Sequence, residues 1–172
     1  MAIALCLVAA VIDVRTYRIP NVLVLVGLAA GLGLNAAAGF SVFGGASGLG
    51  VGLLSSLAGA IFLFVIFVVL SSLRFVGLGD AKLLAAVGAL LRWPSVLWVL
   101  AYVSIAGGVL GLIVAASKGR LGMVFRNLFS LSKRLVGGED AVELHRIPYA
   151  VAIFLGVCWV VAAKHLPALR LG

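Results

Sequence analysis

The sequence predicts an all-α, polytopic membrane protein with about six transmembrane helices, and three observations carry that prediction. Hydrophobic residues make up 65% of the 172-residue chain and charged ones only 10%, with a mean hydropathy of +1.31. A soluble domain is nearer half apolar and a quarter charged. Long apolar runs alternate with short basic segments, which is how orientation signals are distributed in membrane proteins. No alternating β-barrel segments occur, so each crossing must satisfy its own backbone as a helix. The length fits a single membrane-embedded domain, 1–172.

The first span runs from Met1 to Ile12. It has no basic residue ahead of its apolar run, so it reads as a retained helix rather than a cleaved signal. Twelve helical residues reach only about 18 Å against a hydrocarbon core of about 30 Å. Either Asp13 lies below the membrane surface or a few residues precede this start. Between Arg18 and Arg74 there is no charged residue, an interval that fits two spans. The cluster "AGFSVFGGASG", Ala38 to Gly48, is the expected turn between them. The second span is then roughly Asn21–Ala38 and the third Leu49–Leu73.

The fourth begins near Gly79 and stops at "RWP", Arg92 to Pro94, and the fifth covers about Ser95 to Ser117. A polar stretch, 118–146, follows as a cytoplasmic loop. Within it "MVFRNLFSLSKRL" suits an amphipathic interfacial helix. The sixth span is about Ile147–Ala163. Six crossings put Arg15, Arg18, Arg74, Lys82, Lys118, Arg120, Arg126, Lys133, Arg134 and Arg146 on one side, and Arg92, Lys164 and Arg170 on the other. The positive-inside bias makes the richer side cytoplasmic. Glycines such as those of "GGVLG", Gly107 to Gly111, suit close helix packing.

The net charge of +8 would suggest nucleic acid in a soluble protein. Here the basic residues serve topology, and no nucleic acid partner is expected; the partner is the lipid bilayer. Cys6 and Cys158 lie inside apolar runs without a CxxC and read as buried filler, so no metal site and no cofactor is expected. His145 and His165 are isolated, and neither a Ser-His-Asp set nor HExxH occurs. Of the five acidic residues, Glu139, Asp140 and Glu143 fall in the polar loop and read first as solvated charges. Asp13 and Asp80 remain.

Asp13 closes the first span and Asp80 opens the fourth, so an even number of crossings separates them and both lie at the cytoplasmic side. A carboxylate at membrane depth is costly and turns toward the bundle interior or water. The bland reading pairs each with a neighbouring cation, but Arg15 and Lys82 each stand two residues away, a poor angle on a helix. Two carboxyls held close cannot both ionise easily and share a proton. One can then accept a proton from water while the other donates to a peptide carbonyl oxygen. In "VGLGDAKLL", Gly77 and Gly79 would let the backbone before Asp80 bend and another chain approach. In "DVRTYRIPN", Pro20 with Asn21 would start a helix well.

Three blocks, "DVRTYRIPN" (Asp13 to Asn21), "GLGDAKLL" (Gly77 to Leu84) and "RIPYAVAIFLG" (Arg146 to Gly156), resemble in order and spacing the signature blocks of the type IV prepilin peptidases. The resemblance implies a polytopic GxGD aspartyl protease of the bacterial inner membrane that cleaves the basic leader of prepilins at the cytoplasmic face. It implies Asp13 and Asp80 as the catalytic pair, with Gly77, Gly79, Lys82, Pro20, Asn21 and Pro148 as supporting motif residues. Larger members add an amino-terminal cytoplasmic segment with paired cysteines, associated with N-methylation. This sequence has neither, so the expectation is the short, peptidase-only type of the tight-adherence (Flp-type) pilus systems. Glu139, Asp140 and Glu143 are candidates for contacting the basic leader. Two other classes fit a membrane carboxylate: a proton- or ion-coupled transporter, and a non-catalytic subunit of a secretion machine. Transporters often show repeated halves, and none is visible between residues 1–86 and 87–172. A scaffold would tolerate aspartate-to-asparagine changes.

Overall fold

The computed structural model describes residues 1–16, 18–72, 76–117 and 149–165. They form α1 (Ala2–Thr16), α2 (Asn21–Phe43), α3 (Gly45–Ser72), α4 (Leu78–Leu91), α5 (Val96–Ser117) and α6 (Tyr149–His165), with no strand among the described residues. Three of these, Asn21–Phe43, Gly45–Ser72 and the Val96–Val114 part of α5, are long and apolar enough to cross a membrane, and Tyr149–Ala163 is a shorter apolar helix. Their outward faces are apolar too: Val22, Leu25, Leu54, Ile61 and Ile105 are all exposed. Such surfaces suit lipid, where apolar exposure carries no cost.

The helices assemble as two groups. One is α2, α3 and α4; the other is α1 and α5 on either side of α6, and α4 also touches α1 and α6. Small residues make the first group possible. Gly39 of α2 lies against Gly48 of α3, Gly52 against the Asn35 carbonyl, Gly59 against Gly88 of α4, and Gly31 against Ala89. At each site a Cβ would run into a neighbouring backbone. Close backbone approach is what replaces the hydrophobic drive between helices in lipid. The pairings show α3 running antiparallel to both α2 and α4, so α4 starts at the end of the bundle where α1 finishes.

α4 is the buried helix. Nine of its 14 residues are inside, from Asp80 to Ala89, and only the Lys82 position breaks the run. At 14 residues it reaches about 21 Å, and the Ala89 carbonyl in its last turn is buried. Asn35 and Ser56 answer it. Asn35 Nδ2 donates to Ala89 O at 2.7 Å and lies 3.4 Å from Leu90 O, and Ser56 Oγ donates to Ala89 O at 2.6 Å. The amide of Trp93 donates to Ser55 O at 3.0 Å. The two buried neutral polar side chains of α2 and α3 are thus spent on the end of α4.

Several sequence expectations change. The glycine cluster Ala38–Gly48 is not a turn of that length: α2 continues to Phe43, α3 begins at Gly45, and Gly44 alone separates them, with positive φ at Gly44 (70°) and Gly45 (64°). Glycine's helix penalty of about 1 kcal/mol is overridden where Gly39 and Gly48 let two backbones meet. In "GGVLG" only Gly107 has a close neighbour, Tyr149, while Gly108 and Gly111 face open space. α1 continues past Ile12 to Thr16, so Asp13 lies within the helix. The interfacial helix expected in 118–146 lies outside the described residues.

The seam predicts a sharp contrast between neighbouring glycines. Gly52→Ala should lower stability by about 1–3 kcal/mol through overpacking against the Asn35 backbone. Gly50→Ala, which meets nothing within 4 Å, should be neutral or stabilising by up to about 1 kcal/mol. Thermal unfolding of the two variants in the same detergent decides it; equal losses would refute the seam.

Candidate active site

Asp80 occupies the third position of α4 and its placement follows from the local sequence. Gly77 is the N-cap, in extended conformation (φ −74°, ψ 148°). The Asp80 amide donates to Gly77 O at 3.1 Å, and the Gly77 amide donates to Asp80 Oδ2 at 3.2 Å. This reciprocal pair is one half of the logic of a capping box, with the carboxylate in the favourable first turn. Gly77 matters for its missing side chain: a Cβ there would stand 3.1 Å from Asp80 Oδ2. Gly79 is different. A Cβ there would meet Ile19 at 3.7–3.8 Å, ordinary contact, and neither glycine has a positive φ. The chain does bend just before α4, at Val76, without a left-handed glycine, and Gly79 has no steric need to be glycine in this state.

Asp13 comes from the last turn of α1. Its carboxylate lies against the backbone N–H of Ala150 in the first turn of α6, one of the amides that a helix start leaves without an intrahelical partner. Asp13 and Asp80 are 7% and 8% exposed, and these two carboxyls interact electrostatically with each other. In the sequence 66 residues lie between them. The bundle brings them together where α1 ends and where α4 and α6 begin.

Tyr149 completes this corner, and sequence reasoning did not single it out. Its phenol feels the Asp80 charge, its ring packs on Phe67 of α3 at 6.4 Å between centroids, and its hydroxyl end sits over Gly107 of α5. The signal was available only as the tyrosine of "RIPY", next to Pro148. Ile19 over Gly79 was likewise not foreseen.

Of the other candidates, Pro20 is the N-cap of α2 (φ −63°) rather than a first-turn residue, and its carbonyl accepts from Leu23 and Val24. Asn21 opens α2 and accepts a hydrogen bond from Lys82 Nζ at 3.3 Å. The ammonium of Lys82 turns to Asn21, on the exposed side of α4, and not to Asp80. Pro148, Glu139, Asp140 and Glu143 lie outside the described residues.

Fold and site together define an all-helical protein of membrane composition with a buried pair of aspartates at one end of its bundle. The chain belongs to the type IV leader peptidase family, whose model matches residues 1–112. It is also similar to the prepilin leader peptidase/N-methyltransferase of Burkholderia pseudomallei, in strains 1026b and K96243. Identity is 36% over 154 residues in both, covering 86% of this chain and 47% of each relative. The chain thus spans about half the length of the curated relatives it matches. No solved structure matches it.

The geometry separates the two glycines. Gly79→Ala should leave stability within about 0.5 kcal/mol, since its Cβ fits against Ile19. Gly77→Ala crowds the Asp80 carboxylate and should cost about 1 kcal/mol, the worth of a helix cap. Thermal unfolding of both variants reads the difference, and the reverse order would contradict the cap.

Proposed function

We propose that this chain is an aspartic endopeptidase that cleaves the basic leader of type IV (Flp-type) prepilins, working at the cytoplasmic face of the bacterial inner membrane. The observation that carries the reading is the meeting of Asp13 and Asp80. Two carboxyls from distant segments are buried at the same end of the bundle, near enough for the charge of Asp13 to bear on Asp80, in a chain of the leader peptidase family. The family match spans both residues. The reading that treats Asp80 as the partner of Lys82 loses ground, because Lys82 bonds Asn21 instead.

In the proposed reaction one carboxyl holds a proton and the other does not. The ionised member takes a proton from water, and the resulting hydroxide adds to the scissile carbonyl carbon. The protonated member gives its proton to the carbonyl oxygen. The tetrahedral diol then collapses: the C–N bond breaks, the proton taken from water goes to the leaving amine, and a diol hydroxyl, re-forming the C=O bond, gives its proton to the carboxylate that had donated one. The pair returns to its starting charge. The Gly77 amide orients the Asp80 carboxyl, which therefore need not search for its rotamer, and the Ala150 amide lies near the Asp13 carboxyl. Six crossings, with the polar segment 118–146 and the site on the cytoplasmic side, agree with the distribution of basic residues.

Asp13→Asn and Asp80→Asn should each abolish cleavage of a co-expressed prepilin, by at least about a hundredfold on the scale of lost acid-base catalysis. Asparagine keeps an acceptor oxygen for the Gly77 or Ala150 amide, so both variants should stay inserted and folded. Chelators should leave the rate unchanged, because the two carboxyls suffice. Gel shift of the leader scores all three; full activity in either variant, or loss with a chelator, rejects the pair.

The leader is basic and the enzyme carries +8, so recognition should draw on local acidic groups. Reversing Glu139, Asp140 and Glu143 to lysine together should raise KM about tenfold or more at low salt while kcat holds, and the effect should shrink as salt is added. Unchanged kinetics would make those acids solvated filler.

A further inference from the structure

The turn of α4 that carries Asp80 is held from outside by the segment that follows Asp13. Thr16 Oγ1 lies 2.9 Å from Ile12 O and 3.1 Å from Arg18 O, tying the end of α1 to the start of the connection. Ile19 then rests on the open face of Gly79. Pro20, with its ring-fixed φ, caps α2, and Asn21 accepts from Lys82 Nζ. The two contacts to α4, at Gly79 and Lys82, lie on either side of Asp80 in sequence. At its two ends this segment is constrained, because residues 13–16 are helical and the Pro20 ring fixes its φ.

We propose that Lys82 is a positioning residue: through Asn21, and with Ile19 seated on Gly79, it fixes the Asp80 turn against the Asp13 segment and so sets the spacing of the two carboxyls. This rests on the peptidase reading for its catalytic consequence, but the tether itself does not. Positions two apart on a helix face different ways. Asp80 therefore turns into the bundle while Lys82 stays exposed and reaches across to α2. Asparagine supplies the neutral acceptor that leaves the ammonium charge uncancelled, and the long lysine stem spans a gap that shorter donors would not. The hydrogen bond is exposed and modest by itself. Its effect is amplified because proton sharing between two carboxyls depends steeply on their separation, and a misplacement near 1 Å costs on the order of a hundredfold.

Two experiments on the full-length, membrane-inserted protein test it. In prepilin cleavage, Lys82→Met and Asn21→Ala should each lower kcat about tenfold with KM within twofold, and the double variant should be no worse than either single. Asn21→Asp keeps an acceptor oxygen and should retain the wild-type kcat within about threefold. Multiplying losses in the double variant, or a change confined to KM, overturns the proposal; the latter would make Lys82 a substrate contact.

The second experiment needs no cleavage. Ile19 Cβ stands 3.7 Å from the Cβ position of residue 79, within the range for a disulfide. In a Cys6→Ala, Cys158→Ala background, Ile19→Cys with Gly79→Cys should cross-link readily under a copper–phenanthroline oxidant. Adding Lys82→Met should slow that cross-link at least threefold, and an unchanged rate overturns the tether. If the wild type cleaves no prepilin while the cross-link still depends on Lys82, the peptidase reading fails and the tether stands.

Discussion

The last turn of α4 passes through the packed interior at Ala89 before the chain emerges at Arg92, and much of the bundle is arranged around the carbonyl buried there. The carbonyl of buried Ala89 faces apolar surroundings, where an unmet backbone group costs several kcal/mol. Asn35 and Ser56 meet Ala89, and the Trp93 amide turns back to Ser55. Those donors reach only because α2 and α3 lie close to α4, through Gly31 on Ala89 and Gly59 on Gly88. The glycines and the polar pair are therefore one device. Adding a methyl group to the seam would move the donors away from the carbonyls they satisfy.

At the opposite end of α4 the same logic produces the site. A helix start leaves amides unpaired, and a carboxylate is their natural acceptor. Asp80 accepts from Gly77 at the start of α4, and Asp13 faces Ala150 at the start of α6. Each aspartate thus has a structural partner of its own. What makes the corner chemically unusual is that both partners belong to helices beginning at the same place. Two carboxyls, each individually acceptable, are buried at one end of the bundle, where the charge of one disfavours the charge of the other and a proton shared between them would relieve the repulsion. In the proposed peptidase that relief is also the acid-base machinery.

Much of the bundle's outline was legible in the sequence. Apolar runs bounded by charge located the helices to within a few residues, because burial in lipid leaves little choice of backbone structure. The ends were misread where glycine was taken as a breaker. Gly39 and Gly48 look like turn residues in a linear reading, yet their partners are each other, across a helix pair that the sequence does not display. Asn35 was passed over for the same reason. A single amide in an apolar run signals a polar role, but not which carbonyls it serves.

The sequence by itself determined that the protein is helical, that it is built for lipid, and that Asp13 and Asp80 stand at one end. These follow from hydropathy and from the alternation of apolar runs with charged segments, which are local quantities. Only the tertiary structure decided that the carboxyls interact, that Tyr149 and Ala150 join them, and that Lys82 spends its charge on Asn21 rather than on Asp80. The physical reason is that these contacts depend on the rotation and approach of helices about their axes. Rotation is set by which small residues meet in the packed bundle, and a run of uniformly apolar residues carries almost no periodic signal of it.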